Sequence, residues 1–175
     1  GVGGETFMVE DGEAFLRIPE TTSKGVRIDM ILNTKGAADR AESGQYLVIK
    51  YRALSNSGSI QIYTSTQNSS AHDSGMIDLS QGKGLVIGDG EWHILIVDLS
   101  KTTKSYLDVN GKYAAKHLRI DLFNFAKPVE DGSTPYIDLA FVGLTYDYNE
   151  IVGYDTSVSE AHFYDGGEIV KIPTK

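Results

Sequence analysis

Apolar residues recur at every second position through most of this 175-residue chain, and that period constrains the fold more than any other feature. A period of two is the pleat of a half-buried β-strand, whose successive side chains leave opposite faces. It runs through "AFLRIP" (14–19), "GVRIDMIL" (25–32), "QYLVIKYRA" (45–53), "IQIYT" (60–64), "WHILIVDL" (92–99), "HLRIDLFNF" (117–125) and "YIDLAFVG" (136–143). Between these runs lie turn clusters such as "TTSKG", "SNSGS", "GDG" and "EDGSTP", which supply glycine or Asp/Asn where the backbone must reverse. No 12-residue helical pattern separates the strands, so parallel βαβ packing is not expected and an all-β, two-sheet antiparallel β-sandwich is. The chain is expected to be a single domain over 1–175, with strands over about 14–143. A C-terminal extension over 144–175 is expected to hold a helical turn at "DYNEIVGY" and a hairpin turned at Asp165-Gly166-Gly167. Residues 65–84 form a long polar connection with a short strand at Met76–Leu79.

The alternation also assigns faces. In 45–53, Leu47, Ile49, Tyr51 and Ala53 share one face, with Tyr46, Val48, Lys50 and Arg52 on the other. Ile60 and Ile62 oppose Gln61 and Tyr63; Leu118, Ile120 and Leu122 oppose His117, Arg119, Asp121 and Phe123. The stretch "WHILIVDL" is apolar on both faces, which predicts a central strand covered on both sides and makes Trp92 a packing residue rather than a ligand platform.

Charge and motif content exclude several functions. A hydrophobic fraction of 41% with 23% charged residues describes a globular chain long enough to bury a core. A net charge of −8 opposes nucleic acid and anionic lipid, both of which require a basic face. No apolar run approaches a membrane span, and without cysteine there is no disulfide, thiolate metal site or thiol chemistry. The start "GVGGETF" has no signal-peptide apolar region and reads as that of an excised domain or mature chain. There is no GxSxG, HExxH or phosphate-binding glycine loop, and His72, His93, His117 and His162 lack metal-ligand spacing. A non-enzymatic role follows, with a glycosidase carboxylate pair as the weaker alternative.

Two sets of residues could carry binding. Lys50, Arg52, Gln61, Tyr63, Arg119, Asp121 and Phe123 combine planar hydrogen-bonding groups with flat aromatic faces, the mixture that sugar hydroxyls and sugar C–H faces require. The bland alternative is cross-strand ion pairing on a solvent face. Glu10, with Asp11 just before the first expected strand, and Asp138, on the last, supply hard oxygen ligands from distant parts of the chain, and Glu10 and Asp138 lead as ligands of a structural calcium that staples the sandwich.

The series "GDGEWHILIVDLS", "HLRIDLFNF" and "PYIDLAFVG" resembles the galactose-binding-like jelly-roll domains of the carbohydrate-binding-module type found in modular bacterial extracellular proteins. The matching positions are Gly90, Glu91 and Trp92, then Asp98-Leu99-Ser100, Arg119 with Asp121, and Ile137-Asp138-Leu139-Ala140; they span about residues 10–145. The resemblance implies a jelly roll with Trp92 at the core edge and, in some members, a structural calcium that adds weight to Asp138. It implies a non-catalytic accessory module, a monomer within a larger secreted or cell-surface chain, whose partner is a polysaccharide or glycan. "DGEWH" followed by "LDVNGK" is also similar to the laminin-G, concanavalin-like pattern, and a structural spacer or protein-interaction domain is the reading from another functional class.

Overall fold

A computed structural model describes residues 6–19, 26–31, 45–55, 59–65, 76–78, 87–99, 117–124, 128–145, 147, 149, 158, 160–164 and 169–173. Within them the chain forms β1 (Thr6–Glu10), β2 (Glu13–Pro19), β3 (Val26–Ile31), β4 (Tyr46–Leu54), β5 (Ser59–Ser65) and β6 (Met76–Asp78). These are followed by β7 (Asp89–Asp98), β8 (His117–Asn124), β9 (Tyr136–Thr145), β10 (Glu160–Tyr164) and β11 (Ile169–Pro173). A seven-stranded sheet has the order β1-β2-β9-β4-β7-β10-β11, and a four-stranded sheet the order β3-β8-β5-β6. The helical turn expected at 147–154 lies largely outside the described residues, as does most of the 65–84 connection apart from β6.

The pairings are nested. β5 pairs β6, β4 pairs β7, β3 pairs β8 and β2 pairs β9, each antiparallel. The chain thus runs out through four strands and returns through four as one long two-stranded ribbon. Successive ribbon segments enter alternate sheets, and the further antiparallel pairings β4·β9 and β5·β8 join those segments within each sheet.

Both faces of the large sheet are apolar near its middle. Toward the small sheet, Leu47, Ile49, Tyr51 and Ala53 of β4 and Leu95, Val97 and Leu99 of β7 and its end meet Ile60 and Ile62 of β5 and Ile120 of β8. Ile18 and Ile137 complete this cluster, so one core is shared by the two sheets. On the outward face, Val48, Ile94 and Ile96 pack with Ala161 and Val158, flanked by Tyr46, Trp92 and Phe163. The two-sided apolarity of "WHILIVDL" is thereby explained: β7 lies between β4 and β10, and residues 94–98 are buried in succession.

Two elements depart from the expectation. β1 precedes the first expected strand and joins β2 through a two-residue turn in which Asp11 (φ 52°) and Gly12 (φ 79°) are both left-handed, the type I′ geometry suited to Asp-Gly. The large sheet is also mixed rather than wholly antiparallel. The C-terminal hairpin β10·β11 forms, but β10 lies parallel to β7. β9 and β10 thus run in the same direction within one sheet, and the sequence between them, 146–159, is as long as a parallel connection requires.

"GDGEWH" has a local structural task. The β4·β7 register shifts between Arg52–Trp92 and Leu54–Asp89, so β7 carries an extra residue there, and Gly90 holds φ 80° at that bulge. The Asp89 carboxylate accepts the Glu91 N–H at 3.0 Å and fixes the bend. One residue earlier, Gly88 accepts the Ser55 N–H at 3.2 Å, and a Cβ on Gly88 would collide with the Ser55 backbone. Gly88→Ala is therefore expected to cost about 1–3 kcal/mol through backbone displacement, measured by urea unfolding. An unchanged midpoint would show that the β4 end yields freely.

Candidate functional site

The outward face of the large sheet carries an ion-pair network built by register. Arg17 and Arg52 both lie opposite Asp138, one from each flanking strand, and Arg52 lies opposite Trp92. Arg17 grips Asp138 in two parallel bonds, Nε to Oδ1 at 2.8 Å and Nη2 to Oδ2 at 2.9 Å. Arg52 donates Nε–H to the same Oδ2 at 2.9 Å and reaches Glu10 Oε1 through Nη1 at 3.1 Å. Lys50 Nζ lies 3.0 Å from Glu13 Oε1. Asp138 has no solvent exposure, a location that is costly for a carboxylate unless charged donors surround it. The hydrogen bond to Asp138 is the main reason the Arg17 pKa is raised further. For Arg52, burial works against the charge, but Glu10 and Asp138 outweigh it and the net shift is upward.

Aromatic rings line the network. Phe15 and Trp92 meet edge to face at 5.5 Å. The Arg52 guanidinium sits 4.7 Å from the Trp92 centroid and 5.0 Å from Phe15, and Lys50 Nζ is 5.4 Å from Trp92. Arg17 stacks on Tyr136 at 4.0 Å. Trp92 is half-buried at the margin of the outward cluster, with cations over its ring.

The second face is the outward side of the small sheet. Ile60, Ile62 and Ile120 point into the shared core, so Gln61, Tyr63, Arg119 and Asp121 point away from it. Register sets Tyr63 opposite Arg119 and Gln61 opposite Asp121. Arg119 donates from Nε and Nη2 to the two Asp121 oxygens, both at 2.6 Å, and its guanidinium lies 5.3 Å from the Tyr63 centroid. The Tyr63 hydroxyl donates to Gln61 Oε1 at 3.3 Å. Across the other edge of β8, Arg27 is the backbone partner of Asp121 and Asp29 that of Arg119. Phe123 sits where the β5·β8 register shifts, since Ile60 faces Leu122 while Ser59 faces Asn124, and its side chain lies outside the described residues.

No family model, curated protein or solved structure matches this chain.

The seven residues expected to share one groove are divided between them. Lys50 and Arg52 lie on the large sheet; Gln61, Tyr63, Arg119, Asp121 and Phe123 belong to strands of the small sheet, whose outward side faces the opposite way. Strand alternation assigns a face within a strand but not the sheet that strand enters. Lys50 is buried against Glu13, and Arg52 is held by Asp138 and Glu10. The calcium expectation meets a similar obstacle. Glu10 and Asp138 do come together, but around the Arg52 guanidinium, so the position between them already holds a positive charge. In this arrangement both carboxylates are engaged by arginine, and among the described residues no group of three or more His, Asp or Glu is placed to hold a metal. Phe15, Arg17 and Tyr136 escaped the sequence reading, although Glu13, Phe15 and Arg17 alternate onto one face of β2.

A third cluster closes the inner core near the β7 bulge. His93 Nε2 is 2.8 Å from Asp89 Oδ1, and the His93 ring lies 5.7 Å from Tyr51 and 5.8 Å from His162. Burial pushes the Asp89 carboxyl up, but the Glu91 N–H and His93 outweigh it and hold the group below the usual carboxylate range. The Tyr51 hydroxyl accepts the Ile87 N–H at 3.2 Å. Burial pushes the Tyr51 phenol up from 10.0 to about 12; the Ile87 bond opposes that rise, and the Asp89 carboxylate adds to it.

Two predictions follow from this chemistry. Asp138→Ala leaves two guanidinium groups without their shared carboxylate and should destabilise by about 3–5 kcal/mol. Glu10→Gln, at the half-exposed end of the same network, should cost about 1 kcal/mol or less. Urea unfolding of both variants tests the contrast; equal losses would contradict it. For Tyr51, the folded state holds the proton more tightly than the unfolded chain. Its contribution to stability is therefore complete below pH ~10 and is lost as pH rises toward about 12. Melting temperatures across that window should fall less steeply in Tyr51→Phe than in the parent, and parallel declines would assign the alkaline loss to other groups.

Proposed function

We propose that this chain is a non-catalytic carbohydrate-binding domain and that the small-sheet face, Gln61, Tyr63, Arg119 and Asp121, is its binding surface. The reading is carried by one observation: an aromatic ring, a guanidinium–carboxylate pair and a carboxamide are set in register on one outward sheet face. Sugars are recognised by that mixture, because their hydroxyls pair with planar bidentate groups and their C–H faces pack on rings. The large-sheet network is less suited to the task, because its central carboxylate is wholly buried and serves to hold three strands together.

The fold proposed for it is a jelly-roll sandwich. Support comes from the nested pairings β2·β9, β3·β8, β4·β7 and β5·β6, which give eight strands in two four-stranded arrays, β2-β9-β4-β7 and β3-β8-β5-β6. β1, β10 and β11 extend the first array at its two edges. An accessory module of an extracellular or cell-surface protein is the setting such a domain would suit.

A glycan array tests the function. The parent protein should bind at least one polysaccharide class. Tyr63→Ala should weaken that binding roughly tenfold, equivalent to ~1.4 kcal/mol of lost ring contact. Phe7→Ser, on the far edge strand, should leave binding unchanged. A blank array removes the carbohydrate reading and leaves the protein-interaction one. That second reading has its own support: Phe7 and Val9 on β1 are 71% and 66% exposed, beside a backbone edge that no described strand pairs.

A further inference from the structure

We infer that the small-sheet face selects uncharged sugars over glycans bearing uronate, sialate or sulfate, and that Asp121 is the residue that sets this preference. The inference rests on the carbohydrate reading above and adds the ligand's charge class. Four lysine or arginine side chains are described, and each has a carboxylate partner: Arg17 with Asp138, Lys50 with Glu13, Arg52 with Glu10 and Asp138, and Arg119 with Asp121. Among the described side chains of the small-sheet face the cation is Arg119, and Asp121 takes it in two bonds of 2.6 Å while only 8% exposed. An anionic sugar would have to displace that buried carboxylate or approach it against like charge. A neutral sugar meets a pair whose charges cancel, and its hydroxyls need displace neither partner. The charge carried by the rest of the molecule acts in the same direction. Asp11, Asp89, Glu91, Glu130, Asp131, Asp147 and Glu160 are exposed acids, and the whole chain carries −8, so polyanions are repelled before contact.

Affinity electrophoresis of the full chain separates the possibilities. Gels would contain neutral polysaccharides (β-glucan, xylan, galactan, mannan) or anionic ones (polygalacturonate, alginate, chondroitin sulfate), each run at low and high salt. Retardation in a neutral gel, unaltered by salt and absent from every anionic gel, is the expected result. Asp121→Asn, which keeps the shape but removes the counter-charge, should gain retardation in polygalacturonate that fades as salt rises. Salt-sensitive retardation of the parent by any anionic gel would overturn the selectivity while leaving the carbohydrate reading intact. A folded Asp121→Asn protein with no such gain would overturn the role of Asp121. If that variant fails to fold, the parent's pattern alone decides the selectivity. Retardation in no gel at all removes the carbohydrate reading itself, and the inference with it.

Discussion

The Asp138 carboxylate is the constraint around which the large sheet is arranged. A charge with no access to water is tolerable only where oppositely charged donors replace its hydration, and Asp138 has three such donors, two from Arg17 and one from Arg52. Those arginines lie on the strands either side of β9, so satisfying one carboxylate ties β2, β9 and β4 into a single register. A slip of one residue in either pairing would turn Asp138 or its partner toward the shared core and strand the charge there. The aromatic residues reinforce the arrangement. Phe15 and Trp92 pack under the same guanidinium, so Arg52 is fixed by ring contact as well as by its carboxylates.

The same logic explains why β4 can be buried on both faces while carrying Lys50 and Arg52. Their aliphatic stems extend the outward apolar cluster, and their charged ends reach Glu13, Glu10 and Asp138 at its margin. Face-by-face alternation therefore overstates how polar this side is. Tyr46, Val48, Lys50 and Arg52 look like a solvent face in sequence, yet Val48 and Lys50 are buried and the other two are half-buried.

Much of the strand content was legible because most of the strands with described side chains bury at least one face, and burial imprints a period of two. The segments containing β2, β4, β5, β7, β8 and β9 were all marked by it, and the Asp-Gly-Gly turn announced the C-terminal hairpin. β1 was missed because "TFMVE" is short and exposed, with Phe7 and Val9 turned toward a side the small sheet leaves uncovered; the Asp11-Gly12 turn was its readable sign. Which strands become neighbours was not legible. Arg17 and Asp138 stand 121 positions apart, and nothing local in either strand names the other. The same gap led Lys50 and Arg52 to be grouped with Arg119 and Asp121. It also led Glu10 and Asp138 to be read as metal ligands, when the charge between them belongs to an arginine on a third strand.

This difference between periodicity and partnership bears on where function can reside. In a sheet, outward-facing charges on adjacent strands find each other, because register brings them within bonding distance and half-burial makes an unpaired charge costly. A site on such a face is then built from pairs whose charges already cancel, not from isolated cations or anions. Recognition has to exploit shape, ring contact and the directional hydrogen-bonding edges of those pairs. The small-sheet face reaches the same balance within one strand: Arg119 is cancelled by Asp121 two positions along β8, and what the pair presents beside Tyr63 is a planar polar edge next to an aromatic ring. Under the carbohydrate reading proposed above, a surface of that kind would discriminate against charge and in favour of hydroxyl geometry, which would make an uncharged sugar a better match than any ion.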